Sequence, residues 1–172
     1  GSRPREAGIL GEMEFNLHDR GVYYFVTDHE KFRDRRVVVA GGGDTAIDSA
    51  LALKDVASLV TLVHRRDSFR AIEVSVKKVL ASDKIKVRME TQIQEIKGFE
   101  KVEKVVLRDK NNRLSELDVD AVILSFGMVP NNEIFQGLGL ELDYEGKIVV
   151  DAKQKTNLNG IYAAGDIVSG TG

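Results

Sequence analysis

Cysteine is absent from the 172 residues. That excludes a disulfide, a thiolate metal site and a redox dithiol within this sequence. An excess of charge of one sign is missing too: 25 Lys and Arg stand against 27 Asp and Glu, for a formal net charge of −2. The chain therefore does not read as a general polyanion binder, no nucleic-acid partner is expected, and any basic cluster has to be a local site. No apolar run reaches the length of a membrane span, and the opening GSRPREAG is neither a signal nor a transit peptide, so a cytoplasmic protein without a membrane partner is expected. His18, His29 and His64 are too scattered for a metal site, and none is assigned. Internal repeats and low-complexity tracts are lacking. Both ends read as cut, as in a piece excised from a longer polypeptide.

What is present is 42% hydrophobic residues, enough for one sizeable core. Residues 1–35 mix turn signals with the short apolar run Val22 to Val26 and read as a lead-in segment. RRVVVAGGGDTAIDSALAL is then a buried strand, a glycine turn and a helix whose apolar positions Ile47, Ala50 and Leu51 follow the helical period. Leu59 to Val63 is a second apolar strand with no hairpin signal before it, so strand, helix and strand make a βαβ unit with parallel strands. In SFRAIEVSVKKVLAS, Ile72, Val76, Val79 and Leu80 predict one face of a second helix.

From about Lys86 to Asp118 the pattern changes to short alternating runs, KVRMETQIQEI, KVEKVVLRD and RLSELDV, with Gly98 and Asn111-Asn112 at the turns. This predicts an antiparallel β-meander inserted between parallel strands. DAVILSFG returns to a continuous apolar run, and KIVV and GIYAAGD predict two more strands. The expected fold class is α/β, a Rossmann-like three-layer NAD(P)-binding domain with a parallel sheet and an inserted meander, spanning 36–160.

The turn AGGGDTA contains Gly41-x-Gly43-x-x-Ala46, a dinucleotide fingerprint with alanine third. The first glycine permits the tight turn, the second lets backbone amides approach a pyrophosphate, and the small third residue lets helix pack on strand. Amides at the helix start would bind the diphosphate with the help of the helix dipole. The alternative is a turn that is merely structural. Asp44 lies in this cofactor loop but is an awkward neighbour for a phosphate, and is expected to cap the helix.

An NAD-binding unit would end its second strand in Asp or Glu to accept the adenine ribose hydroxyls. Here that position holds His64, Arg65 and Arg66, which suit the 2′-phosphate of NADP. Arg70, expected in the first turn of the next helix where the dipole disfavours a cation, calls for a compensating anion. The alternative is that these arginines solvate a loop and pair with Asp67, Glu73 or Asp48.

VVVAGGGDTAIDSAL, VTLVHRRDSFRA, DAVILSFGMVPN and GIYAAGD together closely resemble the NADPH domain of thioredoxin reductase-like flavoproteins. That family includes thioredoxin reductases and thioredoxin-reductase-type ferredoxin-NADP reductases, and the resemblance covers nearly the whole chain in the family's order. It implies that Gly41, Gly43 and Thr45 line the NADPH pyrophosphate. His64, Arg65, Arg66 and Arg70 then lie on the 2′-phosphate side, and Ile123 and Gly127 flank the nicotinamide half. Gly165 and Asp166 in YAAGD are similar to the motif that reaches the ribitol of FAD, so 161–172 would begin the return to a flavin domain of the same chain. No catalytic side chain is expected, because the flavin does the chemistry. Family members are usually homodimers.

One departure matters. Thioredoxin reductases carry Cys-x-x-Cys just before the first strand of this domain, where the chain has Tyr24-Phe25-Val26-Thr27 and then Asp28. Thiol exchange needs a thiolate, which Tyr and Thr cannot supply. The resemblance thus tilts toward a ferredoxin-NADP reductase, with ferredoxin or a similar one-electron carrier as acceptor. The alternatives are a thioredoxin reductase homologue without the dithiol, acting on another disulfide or on oxygen, and a nucleotide-sensing module that has lost the chemistry.

Overall fold

A computed structural model describes residues 1–170. In chain order the elements are β1 (Ser2–Pro4), α1 (Glu12–Asn16), β2 (Val22–Tyr23), β3 (Arg36–Ala40), α2 (Asp44–Leu53), β4 (Leu59–Val63), α3 (Glu73–Leu80) and β5 (Ile85–Arg88). They continue with β6 (Thr91–Gly98), β7 (Val102–Asp109), β8 (Leu114–Asp118), β9 (Ala121–Leu124), β10 (Met128–Pro130) and α4 (Glu133–Gln136). Two compact units result, Glu6–Phe126 and a smaller one formed by Gly1–Arg5 with the chain from Gly127 onward.

The larger unit is built on a parallel sheet in the order β2-β9-β3-β4-β5. Successive side chains of a strand point to opposite faces. In β3, Val37 and Val39 enter the core under the helices, whereas Val38 and Ala40 enter the core on the opposite side. The first core takes Ala46, Ile47, Ala50 and Leu53 from α2 and Val79 from α3. The second takes Ile93, Ile96, Val105 and Leu107 from the antiparallel meander β6-β7-β8, with Phe15 of α1. Helices, parallel sheet and meander make the three layers expected. A strand covered on both faces has no use for polar alternation, which is why β3, β4 and β9 read as continuous apolar runs.

Four expectations change. Val22–Tyr23 is not part of a lead-in: it pairs parallel with Val122–Ile123 as the edge strand β2. KVRMETQIQEI is two strands, not one. Ile85–Arg88 completes the parallel sheet, and Glu90, at φ 49°, turns the chain into β6. α3 begins at Glu73, so Ile72 lies outside it. Ile72 and Leu80 are exposed, Val76 is half-buried, and Val79 alone of the expected face is fully buried.

The last difference concerns 127–160, which fall in the smaller unit together with Gly1–Arg5. There β1 pairs antiparallel with β10, but KIVV and GIYAAGD form single bridges, Leu142 with Ile148, Ile148 with Val168, and Lys155 with Tyr162. Asp143 accepts the backbone N–H of Glu145 and Lys147, and Asp151 that of Lys153 and Lys155. Such local side-chain bonds compete with a ladder and keep the segment in turns. Among the described residues no helix is long and apolar enough to cross a membrane.

Candidate functional site

The glycine turn sits at the carboxyl end of β3, in the centre of the sheet. A Cβ on Gly41 would lie 2.6 Å from the Ser125 carbonyl oxygen and 2.8 Å from the Ala46 methyl. The first fingerprint residue is therefore small because it abuts the third and the residue that follows β9. Gly43 is the N-cap of α2 and no side chain caps that helix. A Cβ on Gly43 would meet nothing within 4 Å, so the space before the helix is open. The first amides of a helix lack partners within it, and Thr45 stands exposed beside them. At the edge of the turn the Ser125 hydroxyl oxygen is buried with no hydrogen-bond partner. Uncapped amides, open space and an unsatisfied hydroxyl fit a phosphate-bearing nucleotide.

Asp44 does not cap α2. Its Oδ1 accepts the N–H of Ile72 at 2.8 Å, tying the glycine turn to the start of α3. The Arg70 N–H donates to the Gly42 carbonyl at 2.8 Å, a second tie between the same two loops. Arg70 itself lies three residues before the helix starts at Glu73 rather than in its first turn, so the dipole argument for its anion loses force.

Charge still argues for one. Arg65, Arg66 and Arg70 are exposed, and among the described residues none of them forms a salt bridge. The acids that were their alternative partners are engaged elsewhere or untouched by them: Glu73 pairs with Lys77 at 2.6 Å, and Asp67 accepts the Ser68 hydroxyl at 3.1 Å.

His64 is placed differently from the arginines. Its ring is 6% exposed, stacked at 5.4 Å and 25° on Phe69, with Nε2 3.0 Å from the Ser68 carbonyl oxygen. Burial lowers its pKa, and the charges of Arg66, Arg65 and Arg70 lower it further against the Ser68 bond. The ring is packed inside the loop, between Phe69 and the Ser68 carbonyl, and not exposed like the arginines. Gly42, the unspecified position of the fingerprint, lies under this ring: a Cβ there would be 2.1 Å from its Cε1.

The sequence of the whole chain, residues 1–172, matches the pyridine nucleotide-disulphide oxidoreductase family. The chain belongs to this family. It is 42% identical over 163 residues to a ferredoxin-NADP reductase of Flavobacterium psychrophilum, covering 92% of this chain and 46% of that protein. It is 40% identical over 169 residues to a thioredoxin reductase of Treponema pallidum, covering 97% of this chain and 54% of that one. Lactococcus lactis thioredoxin reductase superposes with a TM-score of 0.90 at 34% identity over 98% of this chain and 56% of its own. The chain thus spans about half the length of the relatives it matches. Thioredoxin reductase-like fold and pyridine-nucleotide oxidoreductase family are as the four motifs implied.

Within the family frame the remaining expected residues divide. Ile123 is fully buried in the core beneath α2, because alternation along β9 puts it on the helix side of the sheet. Gly127, at φ 86°, accepts the Arg5 N–H and belongs to the smaller unit, as do Gly165, at φ 84°, and the exposed Asp166. Sequence reasoning missed Gly42 and Ser125. The run of three glycines was the signal for the first, and nothing in the sequence marked the second.

It also missed Glu12. This carboxylate, 1% exposed, accepts the N–H of Ala7 and Ile9 and the hydroxyl of Tyr24, each at 3.0 Å. Burial, and then the carboxylate beside it, push the Tyr24 phenol well above its ordinary range. The stretch just after β2, which holds no cysteine, is thus bonded through Tyr24 to a buried acid.

Proposed function

We propose that the chain is the NADP(H)-binding part of an FAD-dependent oxidoreductase, and that it positions the nicotinamide for hydride exchange with flavin. The observation that carries this reading is the arrangement of Arg65, Arg66 and Arg70, three exposed guanidinium groups without ion pairs among the described residues, on a loop tied to an open glycine turn. When bound, the nicotinamide and flavin supply the redox chemistry. The chain's own residues bind and orient: Gly41, Gly43 and Thr45 at the diphosphate, the three arginines at the 2′-phosphate, and the end of β9 toward the nicotinamide. Gly127 is assigned to the nicotinamide half, and Gly165 and Asp166 to the return toward a flavin-binding part of the same chain. The whole protein would work as a homodimer.

Charge-assisted hydrogen bonds contribute about 1.5–3 kcal/mol each. Replacing Arg65 and Arg66 together by Ala should weaken NADPH binding by about a hundredfold or more and spare NADH. Equal loss for both cofactors would overturn the reading. The 172-residue chain alone should bind NADPH without diaphorase turnover.

For the acceptor we favour ferredoxin or a similar one-electron carrier, since Tyr24 to Asp28 offers no thiol. The relatives include thioredoxin reductases as well, so the second reading is a dithiol-free homologue acting on another disulfide. Reduction of ferredoxin against reduction of an artificial disulfide by the full-length protein separates the two.

A further inference from the structure

The loop that carries the arginines is an arch, and its internal brace is the buried side chain of His64. Arg65 to Ser68 is closed by the contact between His64 Nε2 and the Ser68 carbonyl. The outer side of the arch is fastened to the corner before β6: Glu90 N–H donates to the Arg66 carbonyl at 3.0 Å, and Thr91 N–H to the His64 carbonyl at 2.9 Å. Its inner side is fastened to the glycine turn by Arg70 N–H to Gly42 carbonyl and Ile72 N–H to Asp44. Between these ties lies the His64 imidazole, sandwiched by Phe69 and the bare Cα of Gly42.

We propose that His64 is a positioning residue for cofactor choice: seated on Gly42 and bonded to Ser68, it holds the arginine arch at a fixed offset from the glycine turn, so that diphosphate and 2′-phosphate are gripped together. Gly42 is then glycine for the ring, not for the nucleotide. Two anionic groups of one ligand at a fixed spacing are bound best by two cation sites at the matching spacing, because ordering the arch is done before the ligand arrives. NADH, which lacks the second group, gains nothing from the brace. The inference rests on the NADP(H) reading above.

The test titrates the full chain with NADPH and with NADH. His64→Phe keeps the ring's packing and removes the bond to Ser68. It should raise the NADPH dissociation constant by about threefold to tenfold, the range of one neutral hydrogen bond, and leave NADH within about twofold. His64→Gln, which restores a donor near the Nε2 position, should recover most of the preference. Gly42→Ala should reproduce the His64→Phe signature with His64 still present, and it decides the matter if His64→Phe does not fold. Parallel loss of both cofactors in His64→Phe and Gly42→Ala, or no change in either, overturns the inference. Failure of the Arg65 and Arg66 replacements to discriminate the cofactors overturns instead the reading it rests on.

Discussion

Tyr24 donates its hydroxyl hydrogen to Oε1 of Glu12 at 3.0 Å, and that buried carboxylate is held in turn by the backbone amides of Ala7 and Ile9. The bond pins the chain just after β2 to the start of α1. An unpaired buried charge costs far more than the pair contributes, so the network is all or nothing. Tyr24→Phe should lower unfolding stability by about 1–2 kcal/mol, and Glu12→Ala by about 3 kcal/mol or more because it strands three donors. A denaturant double-mutant cycle should return coupling of about 1 kcal/mol or more between them. Additive effects would show that the two residues act separately.

Asp44 is the negative charge nearest the proposed diphosphate site, and it is there for Ile72. Asp44→Asn retains an acceptor for the Ile72 N–H and removes the charge, so NADPH affinity should rise about twofold to threefold at low salt and less at high salt. Asp44→Ala should instead cost about 1 kcal/mol of stability, as for a lost cap. Titration and melting of both variants check the pair, and weaker NADPH binding by Asp44→Asn would contradict it.

His64 has its pKa lowered by burial, with Arg66, Arg65 and Arg70 adding to the effect. A base whose folded pKa lies below its unfolded value, about 6.5 for His, leaves the unfolded state holding more protons as pH falls. Stability is therefore full above that unfolded pKa and declines as pH drops through it. His64→Phe should lose less stability than the unchanged chain between pH 7.5 and 5. His18 and His29 are common to both proteins and cancel in the difference. Identical pH dependence would mean that His64 protonates in place without cost.

The sequence was most legible where covalent spacing and burial act together. Gly41, Gly43 and Ala46 announced a strand, turn and helix, and the apolar runs of β3, β4 and β9 announced a sheet covered on both faces. It was least legible where one residue changes direction. Glu90 in a left-handed conformation divides an alternating run into a parallel strand and a meander strand, which periodicity alone cannot see. The site divided in the same way. Arg65, Arg66 and Arg70 stand out by charge, but a composition of three cations and a histidine does not say which of the four turns inward. Glu12 and Ser125 owe their importance to burial, and burial of a single polar residue leaves no pattern along the chain.

Arg36 grips Asp120 through both side-chain oxygens, at 2.7 and 3.0 Å, and its own N–H meets the same carboxylate at 2.8 Å, although the two lie 84 residues apart. That clasp sets the register of β3 against β9 at their starts. Pairing across so long a stretch carries a loop-closure cost. The central strand cannot gain this neighbour until the whole meander between them has been synthesised, so on a ribosome β3 and its glycine turn emerge well before the clasp that completes their flank can form.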